Sequence, residues 1–174
     1  MRSLLPLLLA AALLPTAPAA AAAQQSIGSF MVVRNVDAIT DVDRSVVGTP
    51  ALDSGDRTSL LVWRCMEDGL NVVYDWDKYF GGDDDDDVLL VWRFDRDPAW
   101  EPEYARLFTD GNKSAWLRMG TVESFTRAAV KAGRVVVRVT DPLDDETITD
   151  TFELDGLRTA LGELTCARSI LGRL

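Results

Sequence analysis

Apolar residues in this chain recur mostly at every second position, in short runs separated by glycine, proline and acidic residues. That is the rhythm of strands that bury one face. Leu70, Val72, Tyr74 and Trp76 recur at period two, and the turn Glu67, Asp68, Gly69 joins them to a β-prone run over residues 58–65, which predicts a hairpin. A second turn over residues 81–87 leads into 88–94, where apolar residues fall on both parities. This strand is therefore expected to be central and covered on both faces. Pro98 and Pro102 force a loop, and short strands are expected over 106–109 and 115–119. Residues 134–140 and 147–154 flank an Asp- and Pro-rich turn from Asp141 to Glu146, which predicts another hairpin. Upstream, residues 30–36 form a strand candidate, while Gly48, Pro50, Ser54 and Gly55 mark the stretch behind it as loop.

Two stretches change to a helical period. Thr121 is placed to cap a helix reaching about Ala132, with Val122, Phe125, Ala129 and Ala132 on one stripe and Gly133 as the stop. Asp155 is a candidate cap for a second helix from about Gly156, with Leu157, Ala160, Leu161 and Leu164 at helical spacing. Six or seven short strands with two short helices predict an α+β, mainly β domain, built as an antiparallel sheet or a β-sandwich-like fold. The pentapeptide Leu-Leu-Val-Trp-Arg occurs at 60–64 and again, with the same five residues, at 89–93, but the flanks diverge. Two buried strands drawing on the same residue types explain it better than a duplication.

The alternation is absent from residues 1–23. Arg2 is followed by an apolar stretch over 4–14 and a small-residue tail ending at Ala23, the layout of a cleaved secretory signal peptide. Pro6 and Pro15 bracket an apolar run shorter than the roughly 20 residues a spanning helix needs. The expected organisation is a signal peptide over 1–23, one β-rich domain over 24–166 and a tail over 167–174. The expected location is periplasmic or secreted, without membrane insertion after cleavage.

Composition narrows the chemistry. The chain has 174 residues, with 18 Lys and Arg against 28 Asp and Glu, a formal charge of −10 and no His. An acidic surface disfavours nucleic acid, whose phosphates need clustered cations. Without imidazole there can be no Ser–His triad, Cys–His dyad or histidine metal site. Phosphate-loop, dinucleotide and nucleophile-elbow motifs are also missing, so no catalytic residue, enzyme activity or cofactor is expected. A hydrolase built on two of the many carboxylates is the weakest reading.

Cys65 and Cys166 are the two cysteines. In an oxidising compartment such a pair forms a disulfide, and a reactive thiol would lack a histidine or a C-x-x-C partner. Closing so long a loop contributes roughly 4–5 kcal/mol on the chain-entropy model. Asp83, Asp84, Asp85, Asp86 and Asp87 form an oxygen-rich run that could attract calcium. The run lacks the alternating spacers of calcium loops, so a solvated, mobile loop tip is expected. Trp100 and Trp116 fall outside the clear strand pattern and are candidate partner anchors, with packing at the ends of the core as the alternative.

Two stretches together resemble the VasI family of type VI secretion-associated proteins. One carries Arg64-Cys65 followed by Val73, Tyr74, Asp75 and Trp76. The other places Phe152, Leu154, Gly156, Ala160 and Leu164 ahead of Cys166, which stands two residues after Leu164 where the family pattern has four. The resemblance implies a periplasmic accessory protein with no catalytic residue to carry over. The expected function is thus an exported, non-enzymatic interaction protein with a protein partner, associated with a type VI secretion envelope complex. The alternative is a stand-alone exported calcium- or ligand-binding module.

Overall fold

Ten antiparallel strands form a single sheet in a computed structural model of the chain, which describes residues 24–108 and 111–173. The expected signal peptide lies outside the described residues. In chain order the strands are β1 (Gln24–Ile27), β2 (Phe30–Val33), β3 (Val46–Pro50), β4 (Leu60–Met66), β5 (Gly69–Asp75), β6 (Asp87–Phe94), β7 (Glu103–Leu107), β8 (Ser114–Leu117), β9 (Arg134–Thr140) and β10 (Thr147–Glu153). Helix α1 (Met119–Ala129) follows β8, and α2 (Leu157–Leu161), a 3-10 turn (Thr165–Ala167) and α3 (Arg168–Leu171) end the chain. The strand order is β1-β2-β3-β4-β5-β8-β7-β6-β9-β10. Mostly antiparallel β structure with short helices is as expected, but the strands number ten rather than six or seven, and they make one sheet.

Two strands, β1 and β3, fall outside every segment that the alternation marks, and composition hid them. β1 is the polar tetrapeptide Gln-Gln-Ser-Ile, with no alternation to detect. β3 contains the Gly48 and Pro50 that the sequence marks as loop. Gly48 lies under the Val62 side chain, 3.3 Å from where a Cβ would sit, and Pro50 occupies the strand's last position, where its missing N–H is tolerated.

The sheet rolls up. Ala51, just beyond β3, bridges to Phe152 of β10, and the Leu52 N–H donates to the Thr151 carbonyl at 2.8 Å. A closed antiparallel barrel results, in which the seam covers part of the β10 edge while β1 remains an edge strand. The duplicated pentapeptide falls on β4 and β6 in the same phase. Leu61 and Trp63, like Leu90 and Trp92, point inward, while Val62, Arg64, Val91 and Arg93 point out. The outer face of β6 is therefore not covered as expected, since Leu89 and Val91 are half-exposed and Arg93 exposed.

Helix α1 lays Val122, Phe125, Thr126 and Ala129 onto the inner face. Phe125 lies 6.1 Å from the Trp63 ring and 5.3 Å from Trp92, and the Trp63 indole N–H donates to Thr126 Oγ1 at 3.1 Å. The helix starts at Met119 without a side-chain cap, leaving Thr121 inside its first turn. Asp155 does not cap α2 either. Gly156 takes that place with φ +84°, packed against Gly28 at φ +56° of the β1–β2 turn, where a side chain on either would strike the other's backbone. Of the tail over 167–174, residues 167–173 are described, and they pack against the domain. Ile170 is buried, and Arg173 reaches Glu123 of α1 at 3.1 Å.

One polar cluster spans the closure. Asp150 of β10 is fully buried and accepts from Arg57 Nη2 at 2.8 Å, from Arg57 Nη1 at 3.2 Å and from the Tyr74 hydroxyl at 2.7 Å. Burial would push the Asp150 carboxyl up, but hydrogen bonds from Arg57, Ser59 and Tyr74 hold it below its usual range. Removing one partner of a buried pair strands the other charge. Asp150→Ala is expected to cost about 3–5 kcal/mol in urea unfolding, well above the change for Asp53→Ala at the exposed end of the same seam.

Asp43 plays a second tethering part. Its carboxylate accepts from the Thr165 N–H and hydroxyl at 3.0 and 2.6 Å and from the Ser45 N–H at 2.9 Å. Burial raises its pKa, yet these bonds outweigh burial and lower it to about 2. A carboxyl depressed in the folded state adds stability above its unfolded pKa and loses it as pH falls through the folded value. Stability should therefore drop as pH falls from about 4 to about 2. In Asp43→Asn, acid unfolding curves should show a shallower drop over that window.

Candidate functional site

The barrel interior offers no room for a ligand. Leu61, Tyr74, Leu90, Trp92, Phe125 and Val137 enclose a void of about 10 Å³, which holds at most one water. Any binding surface therefore lies outside, and the sequence candidates separate accordingly.

Cys65 and Cys166 are bonded, with Cα atoms 5.7 Å apart. The bridge ties the terminal 3-10 turn to β4, as expected from the pair of cysteines. Asp43 beside it fixes Thr165, so the chain end is held by one covalent and several polar links.

The aspartate run does not converge. Asp83 Oδ1 accepts the N–H groups of Asp85 and Asp87 at 3.0 and 2.9 Å, making a local turn. Asp84, Asp85 and Asp86 point into solvent. Asp87 is buried and pairs with Arg106 at 3.1 Å and with Arg118. The preceding glycines are clamped from the β9–β10 turn, where buried Asp141 accepts from Gly81 and Gly82 at 2.7 and 3.1 Å. So the segment is an ordered turn at both ends, and only its middle three carboxylates are solvated. Among the described residues no three metal-ligating side chains gather. Excess calcium followed by chelator is expected to leave the thermal midpoint unchanged, whereas a native-state ligand would raise it.

Trp100 is half-buried against the core, with ring centroids 5.8 Å from Trp92 and 6.3 Å from Phe94. It walls an open recess of about 490 Å³ between α1 and the β6–β7 loop, floored by Phe94, Ala128 and Ala132. Trp116 differs. It lies on the outer face of β8, edge-on to Phe108 at 4.5 Å and opposite Val73 of β5.

Around Trp116 the fold assembles a furrow that the sequence did not point to. Val62 of β4 pairs across to Val73 of β5, which pairs across to Trp116, so these outer-face residues make an apolar shelf over three strands, with Val62 and Trp116 half-exposed and Val73 nearly covered at 7% exposure. The recess beside it, about 270 Å³, is lined by Val62, Arg64, Val73, Asp75, Phe108 and Ser114. Arg64 stands at one end, half-buried, and makes no ion pair among the described residues. Its Nε is buried without a hydrogen-bond partner, an omission that commonly costs about 1–3 kcal/mol. Asp75 stands at the other end, its Oδ1 accepting the Asp77 N–H at 2.9 Å, and burial raises its pKa. Arg64 also borders a second recess of about 430 Å³ with Val42, Arg44, Met66, Glu67 and Asp68. The sequence carried partial signals, since Arg64, Val73 and Asp75 fall in the VasI-like motif and Trp116 stands out of the strand pattern, and parity adds to them. Val73 is apolar on the face opposite to Val72 and Tyr74, and such a residue is outward when its strand lies on a rolled sheet.

The scaffold thus belongs to the class of closed antiparallel β-barrels with a packed interior and a helix on the inner face. No family model matches the chain, and no curated protein matches it. Among solved structures, the crystal structure of invasion associated protein B from Bartonella henselae is similar, with a TM-score of 0.57 at 11% sequence identity, covering 84% of this chain and 97% of that one. The two share a fold. No helix among the described residues is long and apolar enough to cross a membrane.

Proposed function

We propose that this chain is an exported, non-enzymatic interaction protein that presents the outer face of β4, β5 and β8 to a protein partner in the cell envelope. The observation that carries this reading is the furrow itself, an apolar shelf with an aromatic wall and an unmatched charge at each end, on a barrel whose interior is full. Half-exposed Trp116 is the residue type that anchors interfaces. The leader-like residues 1–23 and the disulfide suit an oxidising compartment. The VasI-like motifs support an accessory role beside a type VI secretion envelope complex, and they include Arg64 and Asp75, the two ends of the furrow.

Fractionation of the native host is expected to place the chain in the periplasm, lacking residues 1–23 and showing no reactive thiol under denaturing, non-reducing conditions. A retained leader with two free thiols would overturn export. Crosslinked pull-down from envelope fractions should capture a partner that Trp116→Ala loses at an unchanged melting midpoint. Equal capture by the variant would remove the furrow from the interface.

A further inference from the structure

We propose that the furrow holds a short extended peptide by its two ends, the free carboxyl terminus against the Arg64 guanidinium and the ammonium against the Asp75 carboxylate, with an apolar side chain on the Val62 and Val73 shelf. This rests on the reading of the face as a binding surface and adds the chemistry of its occupant.

Charge complementarity selects the occupant. Of the two groups facing the apolar floor, one is a cation without an ion pair among the described residues, and its buried Nε–H lacks an acceptor. A carboxylate supplies that acceptor, because the guanidinium fork matches its two oxygens. Asp75 keeps an oxygen free of the Asp77 N–H, and it too has no ion pair among the described residues. Ser114, directly across from Asp75 in the sheet, adds a hydroxyl at the same end. A simple anion would satisfy Arg64 and leave Asp75 with only the through-space field of Lys113, which is itself paired to Asp77, and an amine would leave Arg64 without an acceptor.

The spacing sets the length. Arg64 stands opposite Asn71 in the β4–β5 ladder, and Asp75 lies four residues further along β5. At roughly 3.4 Å per residue the two backbone positions are about 14 Å apart. An extended chain of three or four residues spans about 10–14 Å. The recess between takes one apolar side chain of moderate size. Neither β4 nor β5 is an edge strand, so the peptide is held by its ends and one side chain rather than by adding a strand to the sheet.

The test is calorimetric titration of the oxidised mature chain with the tetrapeptide Ala-Leu-Ala-Ala in free, C-terminally amidated and N-acetylated forms. The free peptide should bind, and amidation or acetylation should each weaken it about tenfold or more, the loss of one charge-assisted contact. Arg64→Gln should bind the free and amidated forms alike, and Asp75→Asn the free and acetylated forms alike, with cooperative thermal unfolding of each variant showing that it is folded. Equal wild-type binding of the amidated peptide, an undiminished preference in Arg64→Gln, or no binding at millimolar peptide would overturn the inference. If peptides fail while Trp116→Ala still loses its partner in pull-down, the interaction reading stands and the end-binding chemistry falls.

Discussion

A carboxylate sealed inside the barrel seam, Asp150, is the constraint on which the architecture turns. Strand β10 can meet the end of β3 only if the inward side chain at position 150 is satisfied without water. Arg57 and Tyr74, from the β3–β4 connection and from β5, converge on it from the opposite side of the closure. Arg57 also donates to the Trp76 carbonyl and the Ser59 hydroxyl, so one guanidinium links the seam to β4 and β5 together. An apolar residue at 150 would bury as well, but it would not specify which strands meet. The pair of charges ties register to closure because any slip leaves an ion unpaired in the core.

Closure has a functional consequence. Once the sheet is rolled, three tryptophans, Phe125 and the inward aliphatics of β4, β5, β6 and β9 fill the interior to the last few cubic ångströms. The void left among the inward side chains is too small for a ligand, and the proposed binding face is accordingly on the outer wall. The disulfide and Asp43 stiffen that wall near Arg64, since Cys65 is its immediate neighbour on β4. Rigid scaffolding of exposed polar groups favours binding by limiting the side-chain freedom lost on association.

Individual residues show how far the fold was legible. The β9–β10 hairpin was read to within one residue, because a β-branched run on each side of an Asp-Pro turn is a local signal. β3 was not, because Gly48 and Pro50 look like loop residues until β4 is placed beside them. Residues 88–94 looked covered on both faces because Leu89 and Val91 are apolar, yet apolar residues are common on exposed outer faces. Among the sites, the cysteine pairing was legible from there being two cysteines and no histidine or C-x-x-C partner for either. Within the aspartate run Asp87 differs from the solvated tip, because its ion pairs come from β7 and from the residue before α1, distant in sequence. Arg64 and Asp75 carried no mark at all as a pair, since nothing in a linear pattern says that two outward residues on neighbouring strands share one furrow.

What the sequence determined alone was local and periodic: strands rather than helices, where the hairpins turn, the two cysteines free to join, and the absence of imidazole chemistry. These follow from backbone propensity, side-chain period and composition, which act over a few residues. The tertiary structure decided the rest. Strand order, the rolling of the sheet, the pairing of Asp150 and the meeting of Arg64, Val73, Trp116 and Asp75 all depend on contacts between segments far apart in the chain. Their energies arise only when long loops have closed, so no short window of sequence contains them.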